Sequence, residues 1–306
     1  MKRNLAMAAG GILLLLLFPY IVTLFMTGTI VREQEEQAES GKRIRVEDEF
    51  GVTEIDLEAY AVGAAASQIP GDYEEEAVKA QMIIVRTYLY KTMGDADVMD
   101  SQAFSCGYWD TADREEAWGE QFAEYQEKFS RAGQETAGQV LFYEGQLIDA
   151  MFHRASAGMT RAAGEEFPYL ASTDSSQDVD MDGYVTIREF RPSELVSAIG
   201  ALRGQSLTEE EAMNIQIVSR DEAGYVQTVM AGTEEYSGDE TAAALGLPSP
   251  AFSVSRTETG LKFVDKGSGH GYGLSQWGAN KLAAEGQDAA AILSYYYKNI
   301  TIAFFE

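Results

Sequence analysis

The stretch that most constrains the fold covers residues 60–90 and reads YAVGAAASQIPGDYEEEAVKAQMIIVRTYLY. Between residues 73 and 89 the apolar side chains recur at the spacing of an amphipathic helix. An acidic run at residues 74–76 falls in the first turn, where the helix dipole stabilises negative charge. Lys79 and Arg86 are two turns apart, so both lie on one face of this helix. The pattern predicts a long, largely buried helix whose two cations reach solvent or an anionic or polar group.

Composition limits the size of the core and the class of partner. With 306 residues, of which 45% are hydrophobic, the chain can bury one large core or two modest ones. A net charge of -26 argues against a nucleic-acid partner, because nucleic-acid phosphates would be repelled. Cys106 is the only cysteine in the sequence, which excludes an intramolecular disulfide and a cysteine-rich zinc cluster.

The N-terminal residues predict a membrane anchor. Two basic residues precede about 26 uncharged, mostly apolar residues, which is long enough to span a bilayer. We therefore expect residues 1–4 to be cytoplasmic, 5–30 to form a single transmembrane signal anchor, 31–43 to be a linker and 44–306 to form an extracytoplasmic domain. A cleavable signal peptide is the alternative, although its apolar region is usually shorter.

Hydrophobic patterning in residues 44–306 predicts an α+β fold of mixed helices and antiparallel β-hairpins with a cleft. The clearest hairpin is Gln139–Asp149, which has Glu144-Gly145 at its centre. Alternation and helical spacing predict the other elements in turn. They are strands at 44–52, 184–190, 215–219, 225–230, 252–256 and 261–265, and helices at 55–66, 114–138, 191–202 and 275–298.

The two histidines of the chain each lie in a segment rich in glycine and small polar residues. Met151–Thr160 reads MFHRASAGMT and contains His153, while Gly267–Ala279 reads GSGHGYGLSQWGA and contains His270. Either histidine alone would be interpreted as a structural group. Glycines beside a histidine let the backbone approach a ligand or another loop. We therefore expect the two segments to face a shared cleft.

Together these three segments resemble the stage II sporulation protein D family, also called the amidase-enhancer family. The family's opening motif reads roughly Y-L-x-G-V-V-A-x-E-M-P, six residues, then A-L-K-A-Q-A-V-A-A-R-T-Y-A. Its later motifs read F-H-S-x-S-G-G-x-T and G-x-G-H-G-x-G-x-S-Q-x-G-A. The opening motif is matched without a gap by Tyr60, Gly63, Ala66, Pro70, Glu76, Ala77, Lys79, Ala80, Gln81, Arg86, Thr87 and Tyr88. One position departs, because Gln68 stands where the family usually has the glutamate regarded as its catalytic acid.

The resemblance implies a lytic transglycosylase that acts on the glycan strands of peptidoglycan. In that reaction one glutamic acid protonates the glycosidic oxygen, and the resulting carboxylate takes a proton from the sugar's own primary hydroxyl to close an anhydro ring. Gln68 can do neither, since a carboxamide has no transferable proton near neutral pH.

Three interpretations of Gln68 are open. In the first, the position is non-catalytic, and the protein binds glycan and recruits or activates a partner hydrolase. In the second, another carboxylate reaches the glycosidic bond and Gln68 only orients the substrate. In the third, Gln68 is a structural residue. The candidate replacement acids are Glu58, Asp72 and Glu76. General-acid geometry tolerates little displacement, which favours the non-catalytic interpretation.

The resemblance also implies which side chains contact the glycan. Imidazole, hydroxyl and amide groups can hydrogen-bond sugar hydroxyls or acetamido groups, and cations can contact the lactyl carboxylate of a glycan without its peptide. For each there is a structural alternative, such as a helix cap, a turn or a salt-bridged helix face. The candidates are Lys79, Arg86, His153, Ser156, Thr160, His270, Tyr272, Ser275 and Gln276.

A separate acidic segment at residues 178–189 fits the calcium-loop pattern, with acids at positions one, three, five and twelve and glycine at position six. Its expected ligands are Asp178, Asp180, Asp182, Tyr184 and Glu189. Since the flanking residues predict a strand rather than paired helices, an acidic turn is the alternative. Calcium would be structural, and no cofactor is expected to be required.

The sequence therefore predicts an anchored, extracytoplasmic sporulation protein that acts in engulfment on peptidoglycan glycan strands, with reduced or absent cleavage. An active transglycosylase that uses another carboxylate, and a non-enzymatic activator of a cell-wall amidase, are the alternatives. The resemblance implies that its partners are the glycan strands, the membrane and stage II sporulation proteins P and M.

Overall fold

The computed structural model describes residues 40–48, 51–204 and 207–305. The predicted cytoplasmic residues 1–4, the predicted anchor at 5–30 and residues 31–39 of the predicted linker lie outside this part of the chain. Within the described residues, no helix combines the length and apolar character needed to cross a membrane. This finding contradicts the predicted single-pass membrane location, and we correct that prediction accordingly.

The described chain begins with a small sheet that leads directly into the first helix. β1 (Arg43–Asp48) and β2 (Gly51–Asp56) pair antiparallel, so the single strand predicted at 44–52 is two strands. β3 (Val98–Asp100) pairs parallel with β1. Asp56 ends β2 and caps the next helix, because its carboxylate accepts a 2.9 Å hydrogen bond from a backbone N–H of the first turn.

Four helices follow and form the centre of the main core. α1 (Leu57–Ala66) and α2 (Glu75–Met93) confirm the predicted small-residue helix and the predicted long helix. α3 (Thr111–Trp118) and α4 (Phe122–Glu135) replace the single helix predicted at 114–138, with a short 3-10 turn between them. α2 is buried along most of its length, so it forms the central element against which the others pack.

The predicted hairpin after α4 is confirmed and belongs to a three-stranded sheet. β4 (Gln139–Tyr143) and β5 (Gln146–Leu147) are antiparallel, and β14 (Thr301–Phe304) pairs with the other edge of β4. Glu144 and Gly145 both have positive φ, as the tight turn between two antiparallel strands requires.

Residues 185–266 build a second hydrophobic core. Two three-stranded antiparallel sheets pack with three helices around Leu195, Val229 and Phe263. The elements are β7 (Val185–Phe190), α5 (Pro192–Arg203), α6 (Glu209–Ala212), β8 (Gln216–Arg220), β9 (Val226–Ala231), β10 (Glu234–Ser237), α7 (Gly238–Leu245), β11 (Phe252–Arg256) and β12 (Leu261–Lys266). The strand orders are β11-β12-β7 and β10-β9-β8. The described part of the chain is thus α+β with several small antiparallel sheets, as predicted.

The chain then returns to the main core and brings its two histidine segments together. β6 (Phe152–His153) pairs parallel with β13 (Leu274–Ser275), so that His153 lies beside Ser275. α8 (Gln276–Ala284) and α9 (Ala289–Tyr296) follow and pack against α2. The predicted helix at 275–298 is therefore two helices.

A close contact between α8 and α9 requires a glycine at position 278. A methyl group there would lie 2.0 Å from Tyr296 Oη and 2.6 Å from Ser175 Oγ. We expect Gly278→Ala to lower the free energy of unfolding by about 1–3 kcal/mol, because the helices must separate. Urea unfolding measures the loss, and Tyr296→Phe in the same variant should restore part of it. Unchanged stability of Gly278→Ala would show that the contact is loose.

Candidate functional site

A cleft of about 470 Å³ opens beside Gln68. One wall is the face of α2 that carries Tyr88 and Lys91, and the other comes from the loop after β5. Tyr88 Oη lies 2.9 Å from Ser105 Oγ, which fixes a third segment at the rim. The lining residues are Gln68, Ile84, Val85, Tyr88, Lys91, Ser105, Cys106, Gly107, Ile148, Asp149, Ala150, Met151, Phe152 and His270.

Two glutamines, Gln81 and Gln276, hold the turn that presents Gln68. Gln81 Nε2 donates to Gln68 Oε1 at 2.9 Å, and Gln276 Nε2 donates to the backbone carbonyl of Gln68 at 2.9 Å. Gln276 Nε2 is also 3.2 Å from Gln81 Oε1. Gln81 is fully buried and Gln276 is 4% exposed. The opening motif and the C-terminal motif therefore meet at Gln68.

The carboxylates predicted to replace the family acid do not line this cleft in the described part of the chain. Glu58 is buried against Arg86, and Glu76 is bonded to Lys79 and to the backbone N–H of Ala289. Asp72 is exposed on the turn before α2. Within the described residues, none of the three side chains is therefore placed to protonate a bond next to Gln68.

The two cations predicted on α2 take part in ion pairs elsewhere. Arg86 is fully buried, with Nη2 at 2.8 Å from Glu58 Oε2 and Nη1 at 3.2 Å from the carbonyl of Gln139. Lys79 Nζ lies 2.7 Å from Glu76 Oε1 and 2.5 Å from Glu135 Oε2. Arg86 thus holds the interior together, and Lys79 joins α2 to α4.

His153 is a buried, neutral imidazole. Its Nδ1 lies 3.1 Å from the carbonyl of Tyr272, so Nδ1 carries the proton and Nε2 has a free lone pair. Burial, together with the nearby imidazole of His270, lowers the pKa of His153 to about 3. The two rings are 5.8 Å apart, which confirms that the two histidine segments meet. His270 lines the cleft, whereas His153 lies behind it.

We expect His153 to make the protein less stable in mild acid. The unfolded chain takes up a proton near pH 6.5, whereas folded His153 does so only near its pKa of about 3. The free energy of unfolding should therefore fall by about 2 kcal/mol between pH 7 and pH 5 through this residue. Urea unfolding at both pH values should show a smaller fall in His153→Asn than in wild type. An equal fall in both proteins would contradict the assignment.

The chain is similar in sequence to known sporulation proteins. The family model of stage II sporulation protein matches residues 47–143, which contain Gln68 and Gln81. The stage II sporulation protein D of Bacillus amyloliquefaciens is 31% identical over 266 residues, covering 82% of this chain and 75% of that protein. The chain belongs to the stage II sporulation protein D family.

Two further proteins are also similar to the chain. The stage II sporulation protein D of Bacillus subtilis is 30% identical over 266 residues, covering 82% of this chain and 76% of that protein. The amidase enhancer of the same organism is 24% identical over 295 residues, covering 78% of this chain but 40% of that protein. The resemblance predicted from the three motifs is thus confirmed.

Among the predicted site residues, the three hydroxyl groups are buried in local hydrogen bonds. Ser156 Oγ accepts from Gly158 N at 3.1 Å, and Thr160 Oγ1 accepts from Thr173 N at 2.9 Å. Ser275 caps α8 and donates to Asp178 at 2.9 Å. These side chains shape the two motif loops from behind. Tyr272 is partly exposed and stacks on His270 at a ring distance of 5.8 Å, so it is placed near the cleft mouth.

The predicted calcium loop is not assembled. Asp178 is fully buried, and its Oδ2 accepts from Ser156 N at 2.6 Å. Glu189 points away on β7, where Thr259 Oγ1 donates to it at 2.7 Å. Asp180 and Asp182 are exposed, and Tyr184 directly precedes β7. Across the described residues, no group of three or more His, Cys, Asp or Glu side chains is placed to hold a metal ion. Asp178 instead links the two histidine segments.

Two charged residues of the cleft were missed by the sequence analysis. Lys91 Nζ forms an ion pair with Asp149 Oδ2 at 2.8 Å, and both side chains are partly exposed. Lys91 follows Arg86 by less than two turns on α2, so the helical pattern could have placed it near the same end. Asp149 ends the predicted hairpin, and nothing in its local sequence separates it from an ordinary turn residue.

Proposed function

We propose that this protein binds peptidoglycan glycan strands in the cleft beside Gln68 without cleaving them. Gln68 lines the cleft at the position of the family acid, with its side-chain Oε1 bonded to the buried Gln81 and its backbone carbonyl bonded to Gln276. The cleft is therefore kept while its proton donor is lost.

No described carboxylate compensates for this loss. Among the cleft-lining residues that the structure describes, Asp149 is the acidic one, and its carboxylate is engaged by the Lys91 ammonium group. A carboxylate in an ion pair has no proton to donate to a leaving oxygen. The alternative of an active lytic transglycosylase would require Asp149 to leave Lys91 and approach the bond.

The shape and polarity of the cleft suit a sugar strand. Tyr88 and His270 offer ring faces and hydrogen-bonding edges, and the walls also carry apolar residues such as Ile84 and Val85. Sugar sites in proteins combine apolar surface with a few placed polar groups. Family membership supports a role in sporulation, where the ligand would be peptidoglycan.

Binding is tested with peptide-free glycan strands and the full-length protein. We expect sedimentation with insoluble strands, or a calorimetric signal with soluble ones, and a loss of affinity in Gln68→Ala. Gln126→Ala is the matched control, because Gln126 is bonded to Arg114 and Ser130 on α4 and does not line the cleft. Absence of binding by folded wild-type protein would refute the proposal.

A second candidate function is stimulation of a cell-wall amidase. The similarity of the chain to a protein named amidase enhancer favours this function. A cleft that binds a glycan strand but has no acid to cleave it would also suit this function. Stage II sporulation protein P is the expected partner from the family resemblance, with protein M as scaffold. Adding the wild-type chain to a purified amidase should raise its rate on peptidoglycan, and Gln68→Ala should raise it less. An unchanged amidase rate would exclude this function for that enzyme.

A further inference from the structure

We infer that Gln81 and Gln276 act as positioning residues that fix the polarity of Gln68, so that its amide NH₂ group donates into the cleft and selects a ligand with a carbonyl acceptor. The inference rests on the proposed function, since the ligand considered is a glycan. In a strand of N-acetylated sugars, the acceptor that fits is the acetamido carbonyl.

The polarity follows from a backbone carbonyl that can only accept hydrogen bonds. Gln276 contacts the carbonyl oxygen of Gln68 at 2.9 Å, so the Gln276 side chain must present its NH₂ group there. The same nitrogen lies 3.2 Å from Gln81, which must therefore present its oxygen. The orientation of a side-chain amide is usually assigned from its network, and here one fixed acceptor determines it.

The contact between Gln81 and Gln68 then fixes the orientation of the Gln68 amide in the cleft. With its oxygen facing Gln276, Gln81 turns its NH₂ group to Gln68, 2.9 Å away, and Gln68 must accept with Oε1. Gln68 Nε2 is then the remaining atom of that amide, and within the described part of the chain no group is bonded to it. Since Gln68 lines the cleft, the NH₂ group is the atom that a ligand meets.

Burial keeps water from stabilising the opposite orientation of the Gln81 and Gln276 side-chain amides. Gln81 is fully buried and Gln276 is 4% exposed. Flipping either amide would place two donors or two acceptors face to face in the interior, where an unmet polar group is costly. At this point the cleft therefore offers a hydrogen-bond donor, the NH₂ group of Gln68.

A donor NH₂ group of fixed orientation discriminates between the polar groups of a sugar. An acetamido carbonyl accepts hydrogen bonds strongly, whereas a sugar hydroxyl both donates and accepts and satisfies a donor less specifically. Oligosaccharides of N-acetylglucosamine and of glucose share a β-1,4 backbone and are both neutral. The acidic protein therefore attracts neither by charge, and the pair isolates the acetamido group.

The experiment compares these two oligosaccharides of equal length by calorimetry with the full-length protein. We expect wild type to bind the N-acetylated form about tenfold more tightly, as one added hydrogen bond allows. Gln81→Met and Gln276→Met should bring this ratio to within about twofold, because Gln68 then turns freely. Gln126→Met, outside the cleft, should keep the ratio. Variants that retain the wild-type ratio would overturn the inference.

A second measurement needs no variant. In nuclear magnetic resonance spectra of wild type, the side-chain NH₂ groups of Gln81 and Gln276 should exchange slowly with water, and that of Gln68 rapidly. The Gln68 signal alone should then slow when the N-acetylated oligosaccharide is added. Slow exchange at Gln68 without ligand would overturn the assigned polarity. If neither sugar binds, the proposed function and the ligand assignment both fail, while the exchange order still tests the positioning role.

Discussion

Gln68→Glu is expected to release anhydro-sugar products from peptide-free glycan strands, at a rate at least about 100-fold above wild type. A placed general acid contributes about 10²- to 10⁴-fold to such a reaction. In the variant, Gln81 Nε2 would donate to one carboxylate oxygen, as it now does to Gln68 Oε1 at 2.9 Å. The other oxygen would replace the NH₂ group that faces the cleft, and could carry the proton.

The controls for this gain of activity change the same position. Gln68→Asp places a carboxyl about one methylene short of the required point, and Gln68→Ala has no acid, so both should be inactive. Products are followed by mass spectrometry, with the fold of each variant checked by circular dichroism. A folded Gln68→Glu protein that binds strands but yields no product would show that this cleft has lost more than its acid.

Arg86→Met is expected to lower the free energy of unfolding by about 3–5 kcal/mol, because it leaves Glu58 charged and unpaired in the core. The two residues are 0% and 5% exposed, and Arg86 Nη2 lies 2.8 Å from Glu58 Oε2. Glu58 Oε1 also accepts from the backbone N–H of Gly138 at 3.0 Å, so the pair ties α1, α2 and the start of β4 together. Urea unfolding of each variant measures the loss.

Two further variants distinguish the cost of leaving a buried charge unpaired from the cost of losing an ion-pair contact. The double variant Glu58→Gln, Arg86→Met should lose less than the sum of its single changes, since no uncompensated charge remains. Arg45→Met removes the ion pair with Glu54, whose side chains are 48% and 45% exposed, and should cost less than about 1 kcal/mol. Equal losses in Arg86→Met and Arg45→Met would contradict the assigned role.

The sequence predicted those features of the fold that depend on residues close together in the chain. The long helix, the hairpin centred on Glu144 and the capped start of α8 at Ser275 all follow from local spacing or turn chemistry. These features need no knowledge of the distant chain.

Features that depend on packing were not predictable in the same way. Helical periodicity placed Arg86 on a face with Lys79, but only the position of Glu58 on α1 shows that this face is buried. The acids at 178–189 match a calcium pattern, yet Asp178 turns inward because Ser156 and Ser275 supply its hydrogen bonds. Lys91 and Asp149 meet across the cleft, and no local signal connects them.

The most direct test of the central claim is to incubate the full-length wild-type protein with peptide-free glycan strands and to search for anhydro-sugar products by mass spectrometry. Strand binding is measured on the same sample. We expect bound strands and no product above the level of a Gln68→Ala control. Anhydro-sugar products that accumulate with wild type and disappear in Asp149→Asn would contradict the central claim, because another carboxylate would then do the work of the missing acid.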